Sequence, residues 1–507
     1  MRLTAPEGLD TTGHSICYAT GWDSQDVKRS YGRCAMTELL ITGGTVLTQN
    51  DAREVITDGG VFIRDGHIEA VGSREELRPE YAAETVIDAS GMAVIPGLIN
   101  THTHVSDILL RGSFAEDRGL YDWLLNVKQP ATASMDADEH ALAATLYTME
   151  ALAGGVTTFV ENDTELRFDS PANTHAKLGV YDQLGVRVFY GAGFADKPAD
   201  AVPARFAEFI SATVERDPTV TPLASDALLT ETETALDSIA SLIERHHSPE
   251  DGLSVWPAPV VVERTTSEGL RGAYDLAEEY NVMTTTHVAE ADIQDSGPMS
   301  SVEYLRNVGY LGDRALLGHC VQISKRDVRL LAQTDTRVAH NAYTNMRLAT
   351  GVAPVVPMRD AGVTVGIGTD NSILSDTVNP LADARLVASV HKGYHRDPGV
   401  VSAQQAFDMI TCEAAQAIRR PDLGSIEEGG RADLAIVDLQ QPHLTPAPDP
   451  VHALVYGAQG FEIETVICDG SIVFDNGAAV GLRREPASVL AECREVGAEI
   501  VERVGIQ

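Results

Sequence analysis

The sequence predicts an α/β protein: a parallel (β/α)8 barrel of the TIM type, joined to a smaller all-β unit drawn from two separated segments. Three observations predict it. From Met92 onward, short apolar strands alternate with helix-length segments, the pattern of parallel strands joined by crossover helices. Short strands with tight turns lie before Met92 and return after Gly424. The barrel strands end in histidines and carboxylates, and in this fold the strand C-termini carry the chemistry.

Length and composition agree with that reading. A chain of 507 residues suits one large barrel with a satellite domain, and 44% apolar residues suffice for a large core. No run of 18 apolar residues suggests a membrane span. No basic start precedes an apolar run, so no secretory signal is expected. Six scattered cysteines form neither a Cys-x-x-Cys pair nor a disulfide framework, which fits a reducing cytoplasm. The formal net charge is -36, and only six lysines are present. Such a surface repels nucleic acid and anionic membrane. Because the acids are spread along the chain, the charge reads as a halophilic surface, suited to high salt that screens self-repulsion.

In chain order, residues 1–35 are polar, Gly-rich and without period, and read as a disordered extension with Met36 as a candidate start. Residues 36–91 form the first part of a β-sandwich, with strands at Leu39–Thr42, Thr45–Thr48, Gly60–Ile63, His67–Val71 and Thr85–Asp88, and a hairpin turn at Asp65-Gly66. Residues 92–421 form the barrel. Its strands are placed at Met92–Ile99, Val156–Val160, Arg187–Tyr190, Leu253–Trp256, Val282–Thr286, Ala315–Leu317, Arg337–Ala339 and Thr364–Ile367. Residues 422–482 return to short strands and complete the first sheet, which makes the small domain discontinuous. Residues 483–507 place Val489, Cys493, Val496, Ile500 and Val504 on one face of a terminal helix.

The strand ends supply the candidate chemistry. The first strand runs into His102-x-His104, and residues two apart on a strand share a face. The fifth ends in His287 with Glu290 just beyond, the sixth in His319-Cys320, the eighth in Gly368-Thr369-Asp370. In a barrel these converge on one rim. Imidazoles and a carboxylate suit one borderline divalent ion, Zn2+ first and Fe2+ second. His102, His104, His287 and Asp370 are assigned as metal ligands. A bound ion of this kind acidifies water to a pKa of about 7. Glu290 is placed to shuttle the water proton, His319 to hydrogen-bond the attacked group, and Asp370 to orient the attacking oxygen. The fourth strand ends in Val255-Trp256-Pro257-Ala258-Pro259 without lysine or acid, so no second metal is expected. His340, ending the seventh strand, reads as either pocket or core.

Pro96-Gly97 with His102-x-His104, His287-x-x-Glu290, Gly318-His319-Cys320 and Gly368-Thr369-Asp370 resemble the amidohydrolase superfamily, in its cytosine deaminase, adenosylhomocysteine deaminase and chlorohydrolase branch. Leu109–Gly112, Tyr121–Asn126, Ser254–Pro259, Lys325–Leu331, Gly351–Pro354 and Gly366–Asn371 look closest to the triazine hydrolases. The resemblance implies a metal-dependent hydrolase that deaminates a purine, pyrimidine or triazine-like ring. Deamination of S-adenosylhomocysteine or methylthioadenosine, and triazine dechlorination or aminohydrolysis, remain alternatives; a non-catalytic barrel is a third class. The ribose-binding glutamate of the nucleoside enzymes is not matched near Gln129–Ala133. The family's pattern after the seventh strand gives way to His340–Asn345, where Tyr343 is placed to face substrate and Asn345 to organise the loop. Tyr121, Trp123, Gln129, Glu161, Asn162 and Trp256 are further pocket candidates, with Trp123 and Trp256 equally readable as core. A small heterocycle is the expected partner, and the family resemblance implies a homo-oligomer.

Overall fold

The computed structural model describes residues 38–113, 118–164, 171–198, 229–294 and 299–505. The N-terminal extension expected at residues 1–35 lies outside them. In chain order the strands are β1 (Glu38–Leu47), β2 (Val55–Arg64), β3 (His67–Ser73), β4 (Thr85–Asp88), β5 (Met92–Pro96), β6 (Leu98–His104), β7 (Val156–Asp163), β8 (Arg187–Phe194) and β9 (Leu253–Pro259). They continue as β10 (Thr284–Val288), β11 (Ala315–His319), β12 (Arg337–His340), β13 (Val365–Ile367), β14 (Asp370–Asn371), β15 (Leu434–Asp438), β16 (Ile463–Cys468), β17 (Ser471–Asp475) and β18 (Ala478–Ala479).

Among the described residues, nine strands from both ends of the chain form one sheet, in the order β18-β17-β16-β15-β5-β1-β2-β3 with β4 beside β1. β15 joins the two segments: it runs antiparallel to β5, Leu434 opposite Pro96, and antiparallel to β16, Leu434 opposite Ile467. Strand alternation builds the interior. Leu39, Ile41, Val61, Ile63, Val94, Leu434, Ile436 and Ile467 share one buried cluster, while the intervening Leu40 and Phe62 pack with Leu77 on the other face. Asp65-Gly66 makes the expected turn, with Arg64 paired to His67.

The apolar run Met92–Ile99, expected as one barrel strand, is two strands in two different sheets. β5 pairs with β1 and β15, and the barrel begins with β6, which pairs with β7. The break falls at Pro96-Gly97, where proline has no N–H to donate. The Gly97 N–H turns to Asp433 O at 2.8 Å, and a Cβ there would lie 2.3 Å from Thr157 Oγ1. Only glycine lets the chain pass from one sheet to the other at that spacing.

The barrel strands are β6 to β13, in two parallel ladders: β6-β7-β8-β9 and β10-β11-β12-β13. At one seam, Pro257 and Pro259 of β9 offer no N–H. β10 approaches β9 instead through Thr284 Oγ1, which donates to Pro257 O at 2.8 Å, and just beyond β9 through a single bridge between Val261 and His287. At the other seam, β14 pairs Asp370 with Thr103 and Asn371 with His104, which ties the end of the last strand to the end of the first. The crossover helices include Ala137–Ala153, capped by Asp136 and Glu139, and Lys325–Gln333, capped by Ser324 and Asp327. The terminal helix Pro486–Val504 buries Val489, Cys493, Gly497 and Ile500; Val496 and Val504 are only partly covered. No helix among the described residues is long and apolar enough to cross a membrane.

A buried ion pair links barrel and sheet. Arg187, at the start of β8, donates from Nε and Nη2 to Asp433 at 3.1 and 3.2 Å, and both side chains are almost fully buried. Removing one partner leaves a charge stranded away from water. Arg187→Met is therefore expected to lower unfolding free energy by about 3 kcal/mol or more, read from denaturant titration. A loss under about 1 kcal/mol would show that water, or protonation of Asp433, compensates.

Candidate metal centre and pocket

Backbone geometry at the strand ends aims the candidate side chains at one point. His102 and His104 lie on β6, His287 on β10 and His319 on β11. The turns beyond are held in the left-handed region at non-glycine residues: Ala289 (φ 47), His319 (φ 70), Cys320 (φ 50) and Asp370 (φ 59). Such conformations cost energy and persist where surrounding structure imposes them. Gly368 is needed for clearance, since a Cβ there would sit 2.6 Å from His102 Cβ.

The donor atoms converge. His104 Nε2 lies 3.1 Å from His287 Nε2. Asp370 Oδ1 lies 3.4 Å from both His102 Nε2 and His104 Nε2, and its Oδ2 is 3.9 Å from His319 Nε2. His102 with His104 and His287, and His102 with His319 and Asp370, each place their ligand atoms within one coordination sphere. Burial pushes the imidazoles of His102, His287 and His319 down to about 3, and that of His104 well below its usual value. Lys128 pushes the same way on His102, His104 and His287. The rings are neutral, so their contacts with Asp370 are not ion pairs.

These residues fit a cation. The Nδ1–H groups of His104 and His287 donate to the carbonyls of Asn162 and Val260, both at 2.6 Å. That leaves the two Nε2 lone pairs facing each other, a repulsive arrangement unless a cation lies between. His102 Nε2 and both oxygens of Asp370 are buried without a hydrogen-bond partner, which is costly for a carboxylate unless a positive charge compensates it. The Asn162 side-chain amide stands 3.0 Å from His102 Nδ1; with its oxygen turned to the ring, it too frees Nε2.

Glu290 and His319 flank the centre. Burial and the nearby Asp370 carboxylate raise the Glu290 pKa well above the usual carboxylate range. The Gln294 side-chain oxygen accepts from the N–H groups of Glu290 and Ala291, at 2.5 and 3.1 Å, and fixes this turn. His319 Nδ1 is 3.6 Å from Glu290 Oε1, and the amides of Asn341 and Asn345 hold its ring. Asp107 accepts from Asn371 Nδ2 at 2.6 Å and from the Ser372 N–H at 3.1 Å, which anchors the segment after Asp370.

A cavity opens onto the centre. Tyr121, Trp123 and Gln129 line it, as the sequence suggests, together with Lys128, Gln294 and Asn371. Three expected pocket residues lie elsewhere. Asn162 is behind the histidines, engaged with His102, His104 and Thr285. Trp256 packs on Phe189 with ring centroids 4.9 Å apart and is 1% exposed. Glu161 points to the helix side of β7, where it accepts from Lys177 and Tyr181. His340 faces His391, 3.4 Å away, and is core. Tyr343 is exposed and does not line the cavity. Asn345 does hold its loop, accepting the Thr350 N–H on its carbonyl, but its side chain also reaches His319. Sequence reasoning missed Lys128, Gln294 and Asn341. Lys128 carried a signal, as one of only six lysines and the neighbour of a pocket candidate.

The sequence profile of the amidohydrolase family matches residues 93–473, and that of the bacterial imidazolonepropionase-like composite domain matches residues 59–83. The chain is 31% identical over 474 residues to a 5-methylthioadenosine/S-adenosylhomocysteine deaminase of Nitratidesulfovibrio vulgaris, covering 92% of this chain and 99% of that one. It is 29% identical over 480 residues to an S-triazine hydrolase of Gordonia rubripertincta, covering 93% and 98%. Among solved structures, atrazine chlorohydrolase from Arthrobacter aurescens TC1, complexed with zinc, superposes with a TM-score of 0.80 at 25% identity, covering 90% of this chain and 100% of that chain.

The donor set predicts that a chelator will remove one divalent ion per chain and lower the melting temperature, and that one equivalent of Zn2+ will restore it. His287→Ala should abolish the recovery. Recovery undiminished in that variant would remove His287 from the ligand set.

Proposed function

The chain belongs to the amidohydrolase family, and we propose from that premise that it is a metal-dependent hydrolase deaminating an aminated purine, pyrimidine or triazine-like ring. The observation that carries this reading is the histidine cluster with Asp370, facing a cavity beside a buried Glu290 whose pKa is raised by burial and by Asp370. His102, His104, His287 and Asp370 hold the ion, with zinc favoured by the donor set and by the zinc in the similar chlorohydrolase. Such an ion acidifies water, and so supplies a nucleophile near neutral pH.

The protein's own groups do the rest. Asp370 orients the attacking oxygen. Glu290, with its raised pKa, takes the water proton and passes it to a ring nitrogen and then to the departing amine. His319 donates to the attacked group and steadies the charge that develops there. Trp123, Leu120 and Leu124 supply apolar walls for a flat ring.

Two specific likenesses favour other leaving groups or rings on the same site: the adenosyl-nucleoside deaminases and the triazine hydrolases. Ammonia, chloride and alkylamine release from a panel of heterocycles, with metal content measured on the same sample, separates them. Ammonia from free bases or triazines supports deamination of a free ring; ammonia only from adenosyl nucleosides moves the reading to that class. Glu290→Gln should keep the metal and lose at least about 1,000-fold in kcat, in line with general acid–base contributions. Full turnover in that variant would dismiss the shuttle.

We also propose that the acidic surface is a halophilic adaptation. The charge of -36 with six lysines should make the melting temperature rise as KCl is raised from about 0.1 to about 3 M, as screening relieves repulsion. A flat or falling profile would contradict this.

A further inference from the structure

Four histidines meet at the centre, and what stands behind each ring decides which nitrogen carries the proton. His104 and His287 face backbone carbonyls. Their Nδ1–H groups donate to Asn162 O and Val260 O, so each presents a bare Nε2. His319 faces the opposite chemistry. Asn345 Nδ2 lies 3.1 Å from His319 Nδ1 and 3.2 Å from Thr350 Oγ1. Local structure sets this placement. Asn345 is buried in the short helix Ala342–Arg347, just past β12. Its own carbonyl accepts the Thr350 N–H at 2.9 Å and the Thr350 hydroxyl at 3.3 Å. With its proton so engaged, Thr350 Oγ1 accepts from the amide, which turns the Asn345 N–H2 toward the ring as well. The flipped amide would strand two N–H donors, where this one strands only Asn345 Oδ1. Asn341 Nδ2, at 3.4 and 3.3 Å from the two ring nitrogens, steadies the ring without choosing between them.

A neutral imidazole has one N–H and one lone pair, so a donor at one nitrogen leaves the proton on the other. We propose that Asn345 is a positioning residue: its Nδ2–H donates to His319 Nδ1 and so holds the ring proton on Nε2. His319 then offers an N–H to the reacting group, whereas His104 and His287 offer lone pairs to a cation. One cluster of like residues is thereby divided into ligands and a hydrogen-bond donor, by the polarity of the group behind each ring. His319 Nε2 stands 3.9 Å from Asp370 Oδ2, the carboxylate assigned to orient the attacking oxygen, so the N–H faces the place where charge develops. A ring protonated on Nδ1 would present a lone pair there and repel that charge. The catalytic effect rests on the deaminase reading; the tautomer does not.

Nitrogen-15 NMR of the zinc-loaded, histidine-labelled protein reads the tautomer, with the His319 signals identified by their loss in His319→Gln. The wild-type ring should show a bare Nδ1 and a protonated Nε2. Asn345→Asp puts an acceptor where the amide donor stood. Nδ1 should then become protonated, and kcat for ammonia release should fall about 100-fold or more, the usual contribution of one transition-state donor. KM should change less than about 3-fold, with zinc content unchanged, because the lost contact acts in the transition state. Asn345→Ala removes the donor without adding an acceptor, and should give a mixture of tautomers and a smaller loss, about 10-fold. An amide with a merely structural role would lower the melting temperature in both variants and leave the ring proton in place. A wild-type ring protonated on Nδ1 overturns the assignment, even if neither variant folds. So does an Asn345→Asp protein that keeps its proton on Nε2 alone, or that changes tautomer yet turns over at the wild-type rate. If the tautomer responds as expected and no heterocycle releases ammonia, the deaminase reading falls and the tautomer assignment stands.

Discussion

Two imidazole lone pairs face each other across 3.1 Å at His104 and His287, and much of the barrel rim exists to keep them there. Each ring is locked by a backbone acceptor at 2.6 Å, from Asn162 and from Val260. Those carbonyls belong to β7 and to the residue just past β9, so four strands of the wall are tied to the same contact. The seam between β9 and β10 is a consequence. Where an ordinary parallel ladder would run, the prolines of β9 withhold their N–H groups, and His287 makes the crossing. At the opposite seam β14 stitches Asp370 to β6. Both gaps in the backbone ladders therefore fall beside candidate ligands, and cation binding there would close a barrel that hydrogen bonds leave incomplete.

Burial is severe around this centre and is compensated by specific charge arrangements. Lys177 behind β7 meets Glu161 at 2.7 Å and Asp163 at 2.5 Å, with Tyr181 and Tyr190 completing the acids' hydrogen bonds. The ammonium holds Asp163 well below the usual carboxylate range, while burial raises Glu161. Glu161 and Asp163 flank Asn162 on the same strand, so this outer network fixes the strand whose inner residue holds two candidate ligand histidines. A buried ion pair of this type is weak evidence for net stability but strong evidence for position, because breaking it costs about 3–5 kcal/mol.

Lys128 acts on the histidines from the cavity wall. Its charge acts with burial to keep the rings neutral, which suits a cluster that must offer lone pairs. The same ammonium lines the cavity, so one residue bears on both the donor set and what the pocket accepts. Gln294 is the counterpart on the Glu290 side, since its oxygen gathers two N–H groups of a turn that a left-handed Ala289 opens.

The sequence by itself determined the alternation of strands and helices, the return of the chain to the first sheet, and the convergence of His102, His104, His287, Glu290, His319 and Asp370. These were legible because each depends on local rules: a two-residue period puts His102 and His104 on one face, and polar residues at the ends of parallel strands share one rim. The tertiary structure decided everything set by depth or by a distant partner. Met92–Ile99 reads as one apolar strand, and only the pairing of β5 with β15, more than 300 residues downstream, divides it at Pro96-Gly97. Trp123 and Trp256 are equally apolar in sequence, yet one lines the cavity and the other packs on Phe189. Asn162 has the right strand face but lies too deep to meet a ligand, behind the rings it orients. Gln294 and Asn341 act through backbone turns and ring contacts that carry no periodic signature. Local chemistry specifies which face a side chain takes; how far it stands from the pocket is set by packing between segments remote in the chain.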